Sequence, residues 1–500
     1  MNGFPWLSLI TFLPLACGLA VLALWRRPEA SRTVCLAACL LELALTVALL
    51  FGVWPQAGHS GWLLMEDTAW IPRFGIRYTM ALDGLSLPFV ALTALFGVLC
   101  VLVSWRQVEN HVAAFHFFLL AALSGVMGVF LATDLFLFAL FWEVQLIPVF
   151  FLIGVWGHGD RQRAAIKFFL FSATGGLLMF LAVIGLALTH SGNTGVLTFS
   201  LAALMEATVP HGLAVWLFAA FLLSFAIKVP LVPVHMWLPD AHTQAPTAGS
   251  LILAGLLLKT GGYALLRFAF PLFPSQAVAF APLMAVLGLA GLFFASWVAL
   301  AQEDMKRLVA YSSIAHMGLS VAGMAVFNGM AMAGSIVLMV CHALTTGGLF
   351  AMAGMVDERL HTRRLDSLGG LWSQAPRFGA LFLLFAMASA ALPGLANFVG
   401  EIMIIFGLFK SHPVWGCVAV GGMVLTLAYL LRLVRDTLFG PGRSPLPMAD
   451  IGGREALVLI PLALAILAVG LHPAPLLAIL AGPVSDLMGH IAPAAAVAQQ

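Results

Sequence analysis

The chain has 500 residues, of which 9% are charged and 62% hydrophobic, and its formal net charge is +2. A soluble domain carries about 25% charged residues, and a water-soluble fold of this composition would expose large apolar patches. The mean hydropathy of +1.05 describes a chain whose solvent is lipid.

The charge balance carries no footprint of a nucleic-acid partner, and none is expected. Six cysteines (Cys17, Cys35, Cys39, Cys100, Cys341 and Cys417) sit inside apolar runs without a C-x-x-C pair. Zinc, iron–sulfur and disulfide readings therefore lack support, and the thiols read as small buried hydrophobes.

A bilayer core about 30 Å thick needs about 20 apolar residues per helix. That rule predicts an all-α polytopic membrane protein with fourteen spans, at 4–25, 31–54, 84–105, 114–132, 135–156, 164–189, 213–240, 246–270, 277–301, 307–327, 330–355, 377–410, 413–434 and 455–485. No basic residue precedes the first span and Arg26 and Arg27 follow it, so it is expected to stay as a span and not to be cleaved as a leader. Long polar connections fall at 55–83, 190–212, 356–376 and 435–454.

Basic residues test this layout, because cytoplasmic loops carry the excess of Lys and Arg. With a periplasmic N-terminus, the cytoplasmic ends hold Arg26, Arg27, Arg32, Arg106, Arg161, Arg163, Lys167, Lys306, Arg307, Arg359, Arg363, Arg364, Arg377, Arg432, Arg435, Arg443 and Arg454. The periplasmic ends hold only Arg73, Arg77, Arg267 and Lys410, and Lys228 and Lys259 lie inside spans. A wrong span count would scramble this sorting, so both termini are expected on the periplasmic side of a bacterial inner membrane.

Two spans are abnormal. Span 7 contains Lys228-Val229-Pro230-Leu231-Val232-Pro233, and span 12 is overlong and contains Leu392-Pro393-Gly394. Proline removes a backbone donor and clashes one turn back, so both are expected to be discontinuous. Broken helices at membrane depth are tolerated beside a polar cavity or in a protein interior. The breaks are five spans apart, and an odd-numbered unit that repeats must return inverted. Spans 4–8 and 9–13 thus read as two five-helix inverted repeats. The expected units are an N-terminal three-helix segment at 1–113, a first repeat at 114–270, a second, inverted repeat at 271–436, and a C-terminal helix and tail at 437–500.

Ionisable residues in mid-membrane are costly and default to function. Here they form a series: Glu143 in span 5, Lys228 at the first break, Lys259 in span 8, His316 in span 10, His342 in span 11 and Glu401 after the second break. With helices adjacent in order, they define a polar line along the midplane, with Ser312, Ser313, Thr345, Thr346, Thr260 and Asn397 as polar company. Low dielectric disfavours a charged lysine and a facing carboxylate restores it, so such pairs titrate as a unit. Histidine passes protons through either ring nitrogen. Lys, His and Glu in series make a proton wire. The blander readings are a snorkelling lysine, excluded by central placement, and satisfied core histidines. Asp134 reads as an N-cap, and Asp304, Lys306 and Arg307 as anchors of a helix end.

These residues carry a resemblance. Phe225-Ala226-Ile227-Lys228-Val229-Pro230, then His235-Met236-Trp237-Leu238-Pro239-Asp240-Ala241-His242-Thr243-Gln244-Ala245-Pro246-Thr247-Ala248-Gly249-Ser250, then Leu258-Lys259-Thr260-Gly261-Gly262-Tyr263 resemble the signature of the antiporter-like subunits of NADH:quinone oxidoreductase, respiratory complex I. Phe141-Trp142-Glu143, Asp304 through Gly318 and His342-Ala343-Leu344 extend it over nearly the whole chain. The L and N types carry a lysine in the discontinuous span 12, whereas Glu401 here resembles the M type.

The resemblance implies that Glu143 and Lys228 form a coupling pair, Lys259 a central relay, His316 and His342 a connecting path, and Glu401 a terminal site. It also implies NADH, FMN, iron–sulfur clusters and quinone in partner subunits, no redox centre in this chain, and contacts with neighbouring antiporter-like subunits and membrane lipids. The rivals are a subunit of a multi-subunit Na⁺/H⁺ antiporter, a subunit of an energy-converting hydrogenase, and a scaffold; buried Lys and Glu give a scaffold nothing.

Overall fold

A computed structural model describes residues 4–442 and 447–498, so Arg443 lies outside the described residues. Among the described residues, fourteen helices are long and apolar enough to cross a membrane. Their number matches the expectation, but their membership differs at the C-terminal end. The overlong span 12 is two half-helices, Pro376–Ser389 and Ala396–Ser411, each too short for that set.

The expected final span at 455–485 is instead a span, Gly453–Leu471, followed by a separate helix, Ala474–Ala498. Pro473 causes the division, since the residue before a proline is pushed out of the helical region. The second helix packs on helix ends and loops: Ala478 and Ile479 meet Gly58 and Gly84, and Ser60 donates to Asp486 at 2.7 Å. The 55–83 connection is more ordered than its polarity suggested. It holds an antiparallel hairpin, β1 (Leu64–Ile71) and β2 (Ile76–Leu82), with Leu64 opposite Leu82 and Ile71 opposite Ile76. Arg267, at the end of span 8, clamps this side of the molecule through Asp83 at 2.5 Å and the Trp62 ring at 4.8 Å.

The helices around the polar line are the most enclosed. Every residue in the hydrophobic windows of Thr247–Leu272 and Gly329–Leu360 is buried, against a third of those in the first two spans. In lipid, close helix contact relies on small residues, because apolar area alone does not drive it. A Cβ on Gly288 would stand 2.5 Å from Gly318 O, joining Pro274–Leu300 to Met305–Ala325. A Cβ on Gly400 would stand 2.6 Å from Leu338 N, which seats the Glu401 half-helix on Gly329–Leu360.

Basic side chains gather at one end of the bundle. Lys167 and Arg307 share Asp240 at 2.7 and 3.6 Å, Arg363 reaches Asp304 at 3.3 Å, and Arg359 reaches Glu455 at 2.7 Å.

Candidate proton path

Both breaks exist, and each has a local cause. Helix His211–Lys228 ends on Lys228, turns follow, and the chain re-enters helix at Trp237–Gln244. Pro230 and Pro233 supply no N–H. The carbonyl of Ile227, freed by the break, is taken up by the Trp237 indole N–H at 2.9 Å. The second break runs over Ala390–Leu395, with Gly394 at φ +88° and Ala391 in the same left-handed region at φ +57°. Helix 453–471 covers it at Gly470, whose Cβ would meet Gly394 O at 2.3 Å, so only glycine permits that approach.

Span 5 carries a break that the hydropathy reading passed over. It divides at Gln145 into Leu135–Val144 and Leu146–Trp156. Pro148 explains this, because its ring conflicts with the carbonyl four residues back, at Val144. Glu143 therefore sits in the last turn before a discontinuity. Its carboxylate lies against Gly176 of helix Arg161–Thr194, where a Cβ would stand 1.5 Å from Oε1.

Span 8 departs from the α-helix in another way. Leu253–Leu257 and Leu265–Ala269 are π-helical and bracket Lys259. Such bulges concentrate at functional sites. The buried Lys259 ammonium donates to Ala254 O, inside the first bulge.

Of the six expected residues, four form one contiguous run. Lys259 Nζ lies 2.7 Å from His342 Nδ1. The His342 and His316 ring centroids are 5.6 Å apart, and His316 Nδ1 lies 3.0 Å from Glu401 Oε1. Thr346 Oγ1 and Ser389 Oγ each approach a ring nitrogen, of His342 and His316 respectively, at 3.4 Å. All four members of the run are buried.

Glu143 and Lys228 form a separate pair. Each feels the other's charge, yet Lys228 Nζ and Glu143 Oε1 are without a hydrogen bond. Lys228 Nζ sits 5.0 Å from the Trp142 ring centroid, a cation–π contact next to Glu143. Between pair and run, Gly261 packs its backbone on Lys228 and Val229. Of the expected polar company, Asn397 and Thr345 meet each other at 3.4 Å, while Ser312, Ser313 and Thr260 bond to carbonyls of their own helices.

Two further residues belong to this interior. His242 is buried and stacked on Phe350, with 4.5 Å between centroids and 7° between planes, and both ring nitrogens are unpartnered. It senses the charge of both Lys306 and Lys259. Lys306, read from sequence as a helix-end anchor, is 2% exposed and donates to Ala245 O at 2.5 Å. The signal for His242 lay in the quoted motif; the burial of Lys306 by neighbouring helices left none in its local sequence. A cavity of about 570 Å³ opens nearby, lined by His111, His158, Arg161, Thr247 and Asp357. Burial, with Lys306 beside it, holds the His158 imidazole below its ordinary range.

The caps follow sequence. Asp134 accepts from Phe136 N at 3.0 Å and Leu137 N at 3.1 Å, and also from Arg77 N of the hairpin at 3.2 Å.

The family described as NADH:quinone oxidoreductase/Mrp antiporter, TM, matches residues 132–426, which contain every residue of the pair and the run. The chain is 43% identical to NADH-quinone oxidoreductase subunit M of Pseudomonas aeruginosa and 41% identical to that of Escherichia coli K12. Each alignment covers 95% of both chains. Its fold is similar to a chain of respiratory complex I from Thermus thermophilus with bound NADH, with a TM-score of 0.87, 31% identity, and coverage of 97% of this chain and 100% of that one. The chain therefore belongs to the antiporter-like subunit M family, the proton-translocating membrane subunits of NADH:quinone oxidoreductase, and is a multi-pass protein of the bacterial inner membrane.

Proposed function

We propose that this chain moves protons along the line Glu143–Lys228–Lys259–His342–His316–Glu401, acting as a translocase driven by NADH oxidation and quinone reduction in partner subunits. The observation that carries this reading is the close-spaced buried run from Lys259 to Glu401. A buried ammonium, two imidazoles and a carboxylate in sequence have no structural use that an apolar core would not serve better. Histidines pass the proton between the lysine and the glutamate, taking it on one ring nitrogen and releasing it from the other.

The control point is the separated pair. An ammonium in low dielectric is stable while a carboxylate faces it. Displacing the Glu143 side chain by a few ångströms removes that support, and Lys228 gives up its proton toward Lys259. Glu143 is placed for such movement, in the last turn before the Gln145 discontinuity. The supply of that displacement belongs to neighbouring membrane-arm subunits, and FMN, iron–sulfur clusters and quinone belong to partners. The two breaks, five spans apart, support the division into 114–270 and 271–436 as inverted repeats. The gathering of basic side chains at one end supports periplasmic termini.

The test uses inverted membrane vesicles and NADH-driven acidification, comparing wild type with Lys228→Ala, with assembly checked on a native gel. We expect an assembled complex whose acidification falls by about 100-fold or more, the scale of a lost proton-transfer group. Normal pumping by the assembled variant overturns the path. Intact NADH-driven pumping with loss of sodium–proton exchange assigns the chain to a separate antiporter.

A further inference from the structure

The proton line leaves one mid-membrane carboxylate unused. Glu42 lies near the centre of helix Pro28–Val53, in the N-terminal three-helix segment, and is 0% exposed. Both of its carboxyl oxygens lack a hydrogen-bond partner, as does the hydroxyl of Thr46 one turn further along the same face. The buried face of that helix reads Ser31, Cys35, Ala38, Cys39, Glu42, Thr46, Leu49, Val53. The titratable groups facing Glu42 are free thiols: Cys17 from helix Trp6–Ala23, and Cys39, which is hydrogen-bonded to the Cys35 thiol and sits near Cys100 of helix Leu87–Gln107. Among the described residues no basic side chain faces it, and His116 and Arg32 lie toward the helix end.

An unpaired ionised carboxylate in such a place costs far more than a neutral acid. A neutral acid with no partner is still worse than the leucine that fits the same face. The group is thus expensive, and mid-membrane expense of this kind marks function.

Its height in the bundle connects it to the coupling pair. Cys39 Sγ and Leu123 of helix Val112–Leu131 both border Gly97, so Glu42 and Val126, each three residues further along, share a level. At that level Ser124 donates to Thr11 O at 2.5 Å. Beside it, Gly125 packs on Gln145, whose Cβ would stand 2.8 Å from a Cβ at Gly125. Gln145 is buried with a free Oε1 and follows Glu143 by two residues. Gln145, Ser124, Thr11 and Glu42 are thus polar groups of neighbouring helices at about one level of the bundle, with Glu143 two residues before Gln145.

We propose that Glu42 is a second proton-binding site, lateral to the main line, which takes up and releases a proton as the Glu143–Lys228 pair cycles. It rests on the reading of that pair as the control point. In one cycle the Glu42 carboxyl loses a proton when the pair needs one and regains it when the pair resets, with no net consumption. The ligand is the proton itself; among the described residues no His/Cys/Asp/Glu group is arranged to hold a metal ion.

The experiment uses the whole purified complex and infrared difference spectroscopy, with and without NADH, on wild type, Glu42→Gln and Glu42→Asp. A carbonyl band of a protonated carboxylic acid is expected in wild type, absent in Glu42→Gln, shifted in Glu42→Asp, and changing when NADH is added. Vesicle acidification in Glu42→Gln should fall by about threefold or more, the scale at which members of a coupling network act.

No band difference between wild type and Glu42→Gln overturns the proposal. So does a band that NADH leaves unchanged together with full pumping, since the acid is then static. Should Glu42→Gln fail to assemble, Glu42→Asp keeps the carboxyl and carries the same readout. Lys228→Ala is run in parallel: if it pumps normally, the main path fails; if it collapses while Glu42→Gln pumps fully, only the lateral site fails.

Discussion

The two halves of the proton line hold their charges differently. Around Lys259, His342, His316 and Glu401 the groups stand close together, at 2.7 and 3.0 Å at either end of the run and with the two imidazole centroids 5.6 Å apart, although His316 Nδ1 and both Glu401 oxygens make no well-directed hydrogen bond. Around Glu143 and Lys228 they face each other across a gap, and the lysine is steadied by an aromatic ring instead of a hydrogen bond. Contact suits conduction, because a proton moves only between groups that touch or nearly touch. A gap suits control, because a pair that is not locked responds to displacement. The backbone divides less sharply. His316 and His342 hang on long enclosed helices, while Lys259 lies between two π-helical stretches and Glu401 follows the second break; the pair sits at two discontinuities, one at Gln145 and one at 229–236.

The largest effect that breaks this contrast comes from the pair itself. Glu143→Ala and Lys228→Ala should each lower acidification by about 100-fold or more. If they act as a unit, the double variant Glu143→Ala/Lys228→Ala should pump no worse than either alone, because effects within one device are strongly non-additive. The double variant should also assemble better than Lys228→Gln with Glu143 left in place, since removing one partner of a buried pair strands the other. Multiplying losses, measured as vesicle acidification normalised to assembled complex, would show two independent sites.

Most of the architecture was legible in sequence, for a physical reason. Lipid demands about 20 apolar residues per crossing, and the prolines of Lys228–Pro233 and Leu392–Gly394 cannot continue a helix, so spans and breaks are written in local composition. Less legible was whatever depends on packing. The hairpin at 64–82 is polar and partly exposed, and it offered no clean alternation. The 455–485 stretch is apolar across Pro473, so hydropathy joined two helices that the proline separates. The six line residues announced themselves as charges out of place, but sequence could not say that four would touch and two would not. His242 stood in the quoted motif without a role, and Lys306 looked like an anchor because burial by neighbouring helices leaves no mark on a local window.

A smaller effect sharpens the contrast from the backbone side. Gly176 is the surface against which the Glu143 carboxylate rests, and a methyl there would stand 1.5 Å from Oε1. Gly176→Ala should therefore push Glu143 out of line while leaving every titratable group present. A displacement on the order of 1 Å can cost about 100-fold in a positioned reaction; with the flexible glutamate yielding, we expect a loss of about tenfold in acidification. Gly192, on the same helix with nothing near its Cβ, is the control, and Gly192→Ala should pump as wild type does. An equal loss in both variants would mean that helix propensity, not the Glu143 contact, is at stake.

The smallest effect separates position from stability. Asp134 opens the helix that carries Glu143, as Asp304 opens the one that carries His316 by accepting from Arg307 N at 2.9 Å. Asp134 also accepts from Arg77 N, so it ties the hairpin to the first half of the line, whereas Asp304 is held by Arg363 at the opposite end. Asp134→Ala should cost about 1–2 kcal/mol of stability, the range for a lost N-cap, and Asp134→Asn less, because its amide oxygen keeps the cap while the bond from Arg77 N is lost. Neither residue is a member of the line. Acidification per assembled complex should therefore remain at the wild-type rate in both variants, while thermal inactivation shifts more in Asp134→Ala than in Asp134→Asn. A pumping defect in assembled Asp134→Asn, with stability unchanged, would move Asp134 from the frame of the control half into the proton path. The separation between a gapped pair and a contacting run would then have to be redrawn to include the hairpin end of span 5.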